Sequence, residues 1–312
     1  VSVVAATYQR AHLLPRLLAA LESQDLDRDR FEVVLIDNGS TDGTCELLAE
    51  AERVSPLSLR VLRIASNRGP VPARNAGWRA TTAAVVAFTD DDCEPSPRWL
   101  SAGLAALRDR PRVGILQGAT EPAEPIRRTF AATRSVPAFS GLFEGCNLFV
   151  RREALEAGGG FDERIEFFGE DTAMGWAIVE AGWEAGFEPA ALVRHAVTYP
   201  PFRSYLRERW LEQNLVTVAR LHPRFRQEAC WRPWCYRREN LTFLVAAAGA
   251  AAAILTRRPL ALAAATPWLW DRVPRERPSR ALLAHVAKRT AVDAVVAAAM
   301  ARGSLRERTV LL

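Results

Sequence analysis

The chain has 312 residues, 49% hydrophobic and 25% charged, a balance that excludes a disordered or fibrous protein and accommodates one large domain with an appendage, or two domains. Its net charge of +5 is unevenly divided: residues 1–219 carry 24 basic and 30 acidic side chains, whereas residues 220–312 carry 17 and 6. Five scattered cysteines, Cys45, Cys93, Cys146, Cys230 and Cys235, fit neither a disulfide framework nor a zinc-site spacing, which points to free thiols in a reducing compartment.

Val1 to Ala5 reads as a first strand with no basic leader before it, so no secretory signal is expected. Leu13, Leu14, Leu17, Leu18 and Leu21 follow at helical spacing. Phe31 to Ile36 is a second strand, ending in the turn segment Asp37 to Gly43, with Thr41 or Asp42 placed to cap the next helix. Leu59 to Ile64 is a third strand, Pro72 to Ala80 a short helix, and Ala83 to Phe88 a strand whose uncharged run suits burial on both faces. Pro97 to Leu107 then reads as a helix and Gly114 to Gly118 as a strand. Glu121 to Ser140, rich in proline, reads as a loop or lid. Phe143 to Arg151 is expected to be extended, Glu153 to Ala157 and Glu170 to Ala181 helical, and Leu192 to His195 a short strand. The alternation implies an α/β fold, a mostly parallel sheet flanked by helices, over residues 1–220.

Residues 221–312 read as a basic helical region. Leu241 to Thr256 is uncharged, lies between Arg237-Arg238 and Arg257-Arg258, and spans about 24 Å as a helix, marginally short of a bilayer core. Pro259 to Trp270 adds a second uncharged run ending in tryptophans, and Ala281 to Ala301 is amphipathic. Arginine brackets and terminal tryptophans match a membrane-associated hairpin, and the basic charge suits an anionic phospholipid surface. A buried helical subdomain is the alternative. Nucleic acid is disfavoured as a partner because Ala, Leu and Val, rather than polar and aromatic residues, surround the arginines. Only Lys288 among the 41 basic residues is lysine, a bias expected of a GC-rich, bacterial coding sequence.

The strand Ala83 to Phe88 runs into Thr89 and then Asp90-Asp91-Asp92. Three adjacent carboxylates at a strand's carboxyl end, where open α/β sheets bind ligands, repel one another unless a cation neutralises them. Mg²⁺ or Mn²⁺ prefers such oxygens and binds phosphate on its open side. A solvated acidic turn is the plainer alternative. Tyr8 and Asp37 end strands at the same edge, where a ring can stack on a base and a carboxylate can accept its hydrogen bonds.

Taken in order, five segments resemble the family 2 glycosyltransferases of GT-A fold: Val3 to Arg10; Ile36 to Thr44; Asn67 to Pro70 with Ala73 to Gly77; Phe88 to Asp92; and Gly169-Glu170-Asp171, preceded by Gly145-Cys146-Asn147 and Gly159 to Glu163. The resemblance covers about Val1 to His195. It implies an inverting, metal-dependent hexosyl transfer from a nucleoside-diphosphate sugar, with UDP or dTDP mildly preferred, to a glycan, lipid or small-molecule hydroxyl. By resemblance, Thr7, Tyr8, Asp37, Arg74, Asp90 and Asp91 form the nucleotide-sugar set, with Asp90 facing the ribose and Asp91 pointing off the other side of the extended segment. Asp92 and His195 would hold the cation, Mg²⁺ or Mn²⁺, and Asp171 would be the general base. Asn147, Glu170, Trp176 and Trp210 would lie on the acceptor side. Arg207-Glu208-Arg209-Trp210 partly matches the Gln-x-x-Arg-Trp motif of processive synthases, but Leu206 stands at the Gln position, so single addition is expected. The implied location is the inner face of the cytoplasmic membrane. A polyprenyl-phosphate sugar synthase and a non-catalytic nucleotide-sugar-binding protein are the competing readings.

Overall fold

A computed structural model describes residues 1–165, 167–272 and 280–312, which form two compact units, Val1–Tyr199 and Pro200–Leu312. The first unit is built from β1 (Ser2–Thr7), α1 (Leu14–Glu22), β2 (Glu32–Asp37), α2 (Thr44–Val54), β3 (Leu59–Arg63), α3 (Pro70–Arg79) and β4 (Val85–Thr89). It continues through β5 (Cys93–Pro95), α4 (Trp99–Asp109), β6 (Val113–Pro122), β7 (Asn147–Arg151), α5 (Arg152–Ala157), α6 (Glu170–Glu180) and β8 (Glu184–His195).

The eight strands make one sheet in the order β3-β2-β1-β4-β7-β6-β8-β5. The β3-β2-β1-β4 half is parallel, because each of these strands returns through a covering helix. Strand β7 runs antiparallel to both β4 and β6, so the complete sheet is mixed rather than uniformly parallel. Leu14, Leu17 and Leu21 on one face of α1, with Val3, Ala5, Val33 and Leu35 of the sheet, are fully or almost fully buried. On the opposite half, Trp99 of α4 packs on Phe149 of β7 at 5.0 Å between ring centroids.

Two strands differ from the sequence pattern. Strand β8 begins at Glu184 rather than Leu192, since Glu184 to Glu188 pair with β6 through the backbone although their partly exposed side chains, glycine among them, show no β-branched run. The extended segment expected from Phe143 forms strand only from Asn147, because Phe143 has φ +53° and turns the chain. The proline-rich segment after β6 is pinned by isolated bridges, Thr120 to Val136 and Ala132 to Thr198.

The second unit is helical: α7 (Phe202–Trp210), α8 (Asn214–Leu221), α9 (Pro223–Glu228), α10 (Arg238–Thr256), α11 (Thr266–Arg272) and α12 (Arg280–Glu307), with short 3-10 turns at Leu211–Gln213 and Pro259–Ala265. Residue 220, where the charge balance changes, lies within α8. Its core joins Leu215, Val216 and Phe225 to Val292, Ala299 and Met300. Helix α10 is long and apolar enough to cross a membrane by length and composition.

Candidate active site

Strands β1 and β2 place Thr7 and Asp37 side by side at their carboxyl ends, in register with each other. Both are buried, yet Thr7 Oγ1 and Asp37 Oδ2 have no hydrogen-bond partner. The other Asp37 oxygen accepts the Ser40 N–H at 2.9 Å, and Arg63 Nε stands 3.7 Å from Oδ2, too far for a hydrogen bond. Buried polar atoms left unsatisfied are uncommon and costly, which marks this strand edge as built to meet a ligand. Beside it lies a cavity of about 220 Å³ lined by Thr7, Tyr8, Arg10, Asn38, Asn67, Gly69, Pro70, Asp91 and Phe167 among others. Asn38 donates to Asn67 Oδ1 and the Gly69 carbonyl and accepts from Arg68 N–H, so the neutral amide fixes the turn that forms one wall.

The three acids do not alternate as an extended strand would. Strand β4 ends at Thr89, and Cys93 N–H bonds back to the Asp90 carbonyl, closing a turn. Asp91, expected to point away, therefore lines the cavity, while Asp90 turns to Arg74 at 2.8 Å. Burial and the neighbouring Asp92 push the Asp91 carboxyl up to about 7, against the opposing influence of the Thr7 hydroxyl and Arg10.

Arg74, implied by resemblance to contact the base or diphosphate, is committed elsewhere. Its buried guanidinium reaches Asp90 at 2.8 Å, Glu170 at 3.1 Å and Asp171 at 3.2 Å. Burial alone would lower its pKa, but the three carboxylates hold it cationic and well above its usual range. In return, Asp90 lies below its ordinary value: burial opposes ionisation, and Arg74 outweighs it. Glu170 is pushed up to about 7 by burial and by Asp171. Asp171 is also raised, chiefly by burial, with Arg74 and the Gly145 N–H acting in the opposite sense.

Asp171 sits in the first turn of α6, where the helix dipole favours its charge. Its Oδ2 accepts the Gly145 N–H at 2.8 Å, and the Cys146 carbonyl next along is held by the Thr89 hydroxyl at 3.1 Å. A Cβ on Gly145 would lie 2.6 Å from both carboxylate oxygens, so the turn approaches Asp171 as closely as only glycine permits.

On the other side of the acids, His195 Nε2 lies 3.4 Å from Asp92 Oδ1. His195 Nδ1 is 2.9 Å from the Ala196 carbonyl, an acceptor only, so Nδ1 carries the proton. Nε2 then faces a carboxylate oxygen, an arrangement satisfied when a cation or a proton lies between them. Cys93 completes the group geometrically, but burial and the Cys146 sulfur push its thiol well up, leaving a poor ligand. The donor set thus fits a divalent cation held by Asp92 and His195.

Of the expected acceptor-side residues, Glu170 joins the Arg74 cluster, whereas Asn147 and Trp176 are enclosed. Asn147 accepts from Trp99 Nε1 and donates to the Ala119 and Ala191 carbonyls, which uses its side chain to tie β7 to α4 and to the β6 and β8 strands. Trp176 is 2% exposed and donates to the Gly141 carbonyl beneath Phe143. Trp210 belongs to the second unit, where Arg302 covers its ring. Two groups that sequence reading missed, Arg134 and Glu144, are electrostatic neighbours of Asp171. Both lie in irregular backbone between β6 and β7, where no periodicity or motif marks them.

Comparison with known proteins is consistent with this geometry. The family model described as Glycosyl transferase family 2 matches residues 2–158, half of the chain. Glycosyltransferase AglE of Haloferax volcanii is 27% identical over 67% of this chain and 70% of its own length. The N-acetylglucosaminyl-diphospho-decaprenol L-rhamnosyltransferase of Mycobacterium tuberculosis is 30% identical over 62% of this chain and 75% of its own. Among solved structures, mannosyltransferase PcManGT from Pyrobaculum calidifontis, in complex with GDP-Man and Mn²⁺, matches with a TM-score of 0.64 and 25% identity. That match covers 97% of this chain and 86% of the other.

Two outcomes follow from the site's electrostatics and packing. The Asp91 carboxyl titrates near 3.8 when unfolded and at about 7 when folded, so between those values the folded chain holds the extra proton and loses stability as pH rises. Asp91→Asn should therefore raise the Tm relative to the parent at pH 8 and leave it nearly unchanged at pH 4, read by calorimetry. Gly145→Ala should displace Asp171 and lower kcat for sugar transfer by about 100-fold while donor affinity is kept, as steady-state kinetics would register.

Proposed function

Because the chain belongs to glycosyl transferase family 2 and carries a GT-A sheet, we propose that it adds a single sugar, with inversion, from a nucleoside-diphosphate sugar to an acceptor hydroxyl. The observation that carries this reading is the clamped Asp171 carboxylate, held by the Gly145 N–H and Arg74 within one ion-pair cluster with Asp90. The GDP-Man bound to PcManGT and the rhamnosyl group in the name of the mycobacterial relative support a nucleotide-linked hexose.

The buried Thr7 and Asp37 oxygens and the exposed face of Tyr8 receive the nucleoside, and Asp91, in the lining of the same cavity, accepts from its ribose. Asp92 and His195 would hold a divalent cation, which when bound would supply Lewis-acid stabilisation of the diphosphate. Asp171 accepts the acceptor hydroxyl's proton as that oxygen bonds to the anomeric carbon from the face opposite the nucleotide. The bond from the anomeric carbon to the diphosphate oxygen breaks, and its electron pair leaves with the nucleoside diphosphate. Arg74 is a positioning residue: it aims the Asp171 carboxylate and opposes the upward shift that burial imposes on it.

Turnover of a panel of nucleotide sugars with Mn²⁺ or Mg²⁺ identifies the donor. Asp171→Asn should leave donor affinity nearly intact and lower transfer by at least about 1,000-fold, as loss of a positioned base does. Transfer that survives this change would overturn the base assignment and favour a phosphate acceptor, which needs no base. Asp92→Ala should abolish the Mn²⁺-dependent part of nucleoside diphosphate binding in calorimetry, and unchanged binding would remove the metal assignment.

A further inference from the structure

The second unit carries 20 basic and 8 acidic residues, yet from Leu241 to Trp270 its only charges are Arg257 and Arg258. These two lie where α10 ends and the chain turns back, with Arg257 in the left-handed region at φ +56°. The returning 3-10 segment Pro259–Ala265 lies against α10: a Cβ on Gly249 would sit 2.6 Å from both the Ala261 carbonyl oxygen and the Ala264 Cβ. The base of this hairpin is anchored in the unit's core. Trp268 is buried, packs edge-on against Phe243 and donates to Asp293 of α12 at 2.8 Å, while Arg238 pairs with Asp271.

The tip is the opposite. Ile254, Leu255, Leu260 and Leu262 are 78%, 84%, 87% and 52% exposed, and they flank the arginine pair, which has no ion-pair partner among the described residues. Four large side chains clustered in water are an interaction surface rather than a stable exterior. We infer that this tip docks on an anionic phospholipid bilayer, its four aliphatic side chains entering the acyl boundary and Arg257 and Arg258 binding lipid phosphates.

Charge and length select that partner. A second copy would bring another net +12 unit against the same arginines, and a nucleic acid would leave the aliphatic side chains uncovered. The returning segment, seven residues at about 2 Å each, is roughly 14 Å long, half of a bilayer's hydrocarbon thickness, before Trp268 fixes the chain in protein. Though α10 alone is long enough to cross, the hairpin as folded lies in the interface, where arginine stems run along the apolar layer and their heads stay at the phosphates.

The test is flotation of the full chain with vesicles of phosphatidylcholine alone or with one quarter phosphatidylglycerol. The chain should bind the anionic vesicles in strong preference to the neutral ones. Arg257→Ser with Arg258→Ser should weaken that binding about 30-fold, from roughly fivefold per basic residue at an anionic surface. Leu255→Ser with Leu260→Ser should weaken it at least about tenfold. Arg28→Ser with Arg30→Ser, an equal charge loss at exposed positions of the first unit, should leave binding near the parent's. Circular dichroism should be unchanged in all variants, since each altered side chain is exposed. Equal binding to both vesicle types, or retention of binding by the tip variants, would overturn the inference. So would a dimer in light scattering that Leu255→Ser with Leu260→Ser dissociates.

Discussion

One buried guanidinium holds the site together. Arg74 leaves α3 and meets Asp90, Glu170 and Asp171, carboxylates from a strand end and a helix start that are remote in the chain. Three acids cannot remain ionised together in so enclosed a place, and a single cation cannot neutralise all of them. The result is a division of states: Asp90 stays ionised, Glu170 is raised to about 7, and Asp171 is poised between burial and its partners. Removing such a cation from its partners would leave buried negative charge, a loss of roughly 3–5 kcal/mol for a single pair. Lysine would be a poor substitute, because its point charge lacks the planar fork that meets several carboxylates at once.

The sheet explains why that cluster lies near the strand edge that carries Thr7 and Asp37. Parallel β1, β2 and β4 end on the same side, which brings Thr7, Asp37 and the acids together. Antiparallel β7 then lies beside β4, and the Gly145-Cys146 turn leading into it is delivered onto Asp171. Strand β8 returns to pair with β5, placing His195 opposite Cys93 in register and so beside Asp92. Asp171, the Asp92–His195 pair and the Thr7–Asp37 edge are therefore brought together by strand pairing, whereas Asn147 and Trp176 serve from within the core.

The second unit solves a different problem. Its helices pair several of their arginines internally, as Arg220 with Glu307 and Arg272 with Asp293, but place the most apolar part of the chain where the core does not cover it. A soluble helical subdomain would turn Leu255 and Leu260 inward. The exposure of both, beside two arginines, is the observation on which the proposed lipid contact rests.

Much of this was legible in the residues alone. Short β-branched runs alternating with leucine-spaced helices announced the α/β sheet, and the order of the Asp37, Arg74, Asp90–Asp92 and Asp171 segments announced the family, because local periodicity and motif spacing are one-dimensional properties. What tertiary structure decided was where those side chains point. The turn after Thr89 broke the strand alternation, so that Asp91 lines the cavity and Asp90 meets Arg74. Arg74 was drawn from an expected phosphate role into an acid cluster by partners some 16 to 97 positions away. Arg134 and Glu144 had no signal at all, since an irregular segment acquires its neighbours only when distant strands fold it against them. A side chain's chemistry is carried by its own residue, but its direction, partners and charge are settled by contacts that no local stretch of sequence contains.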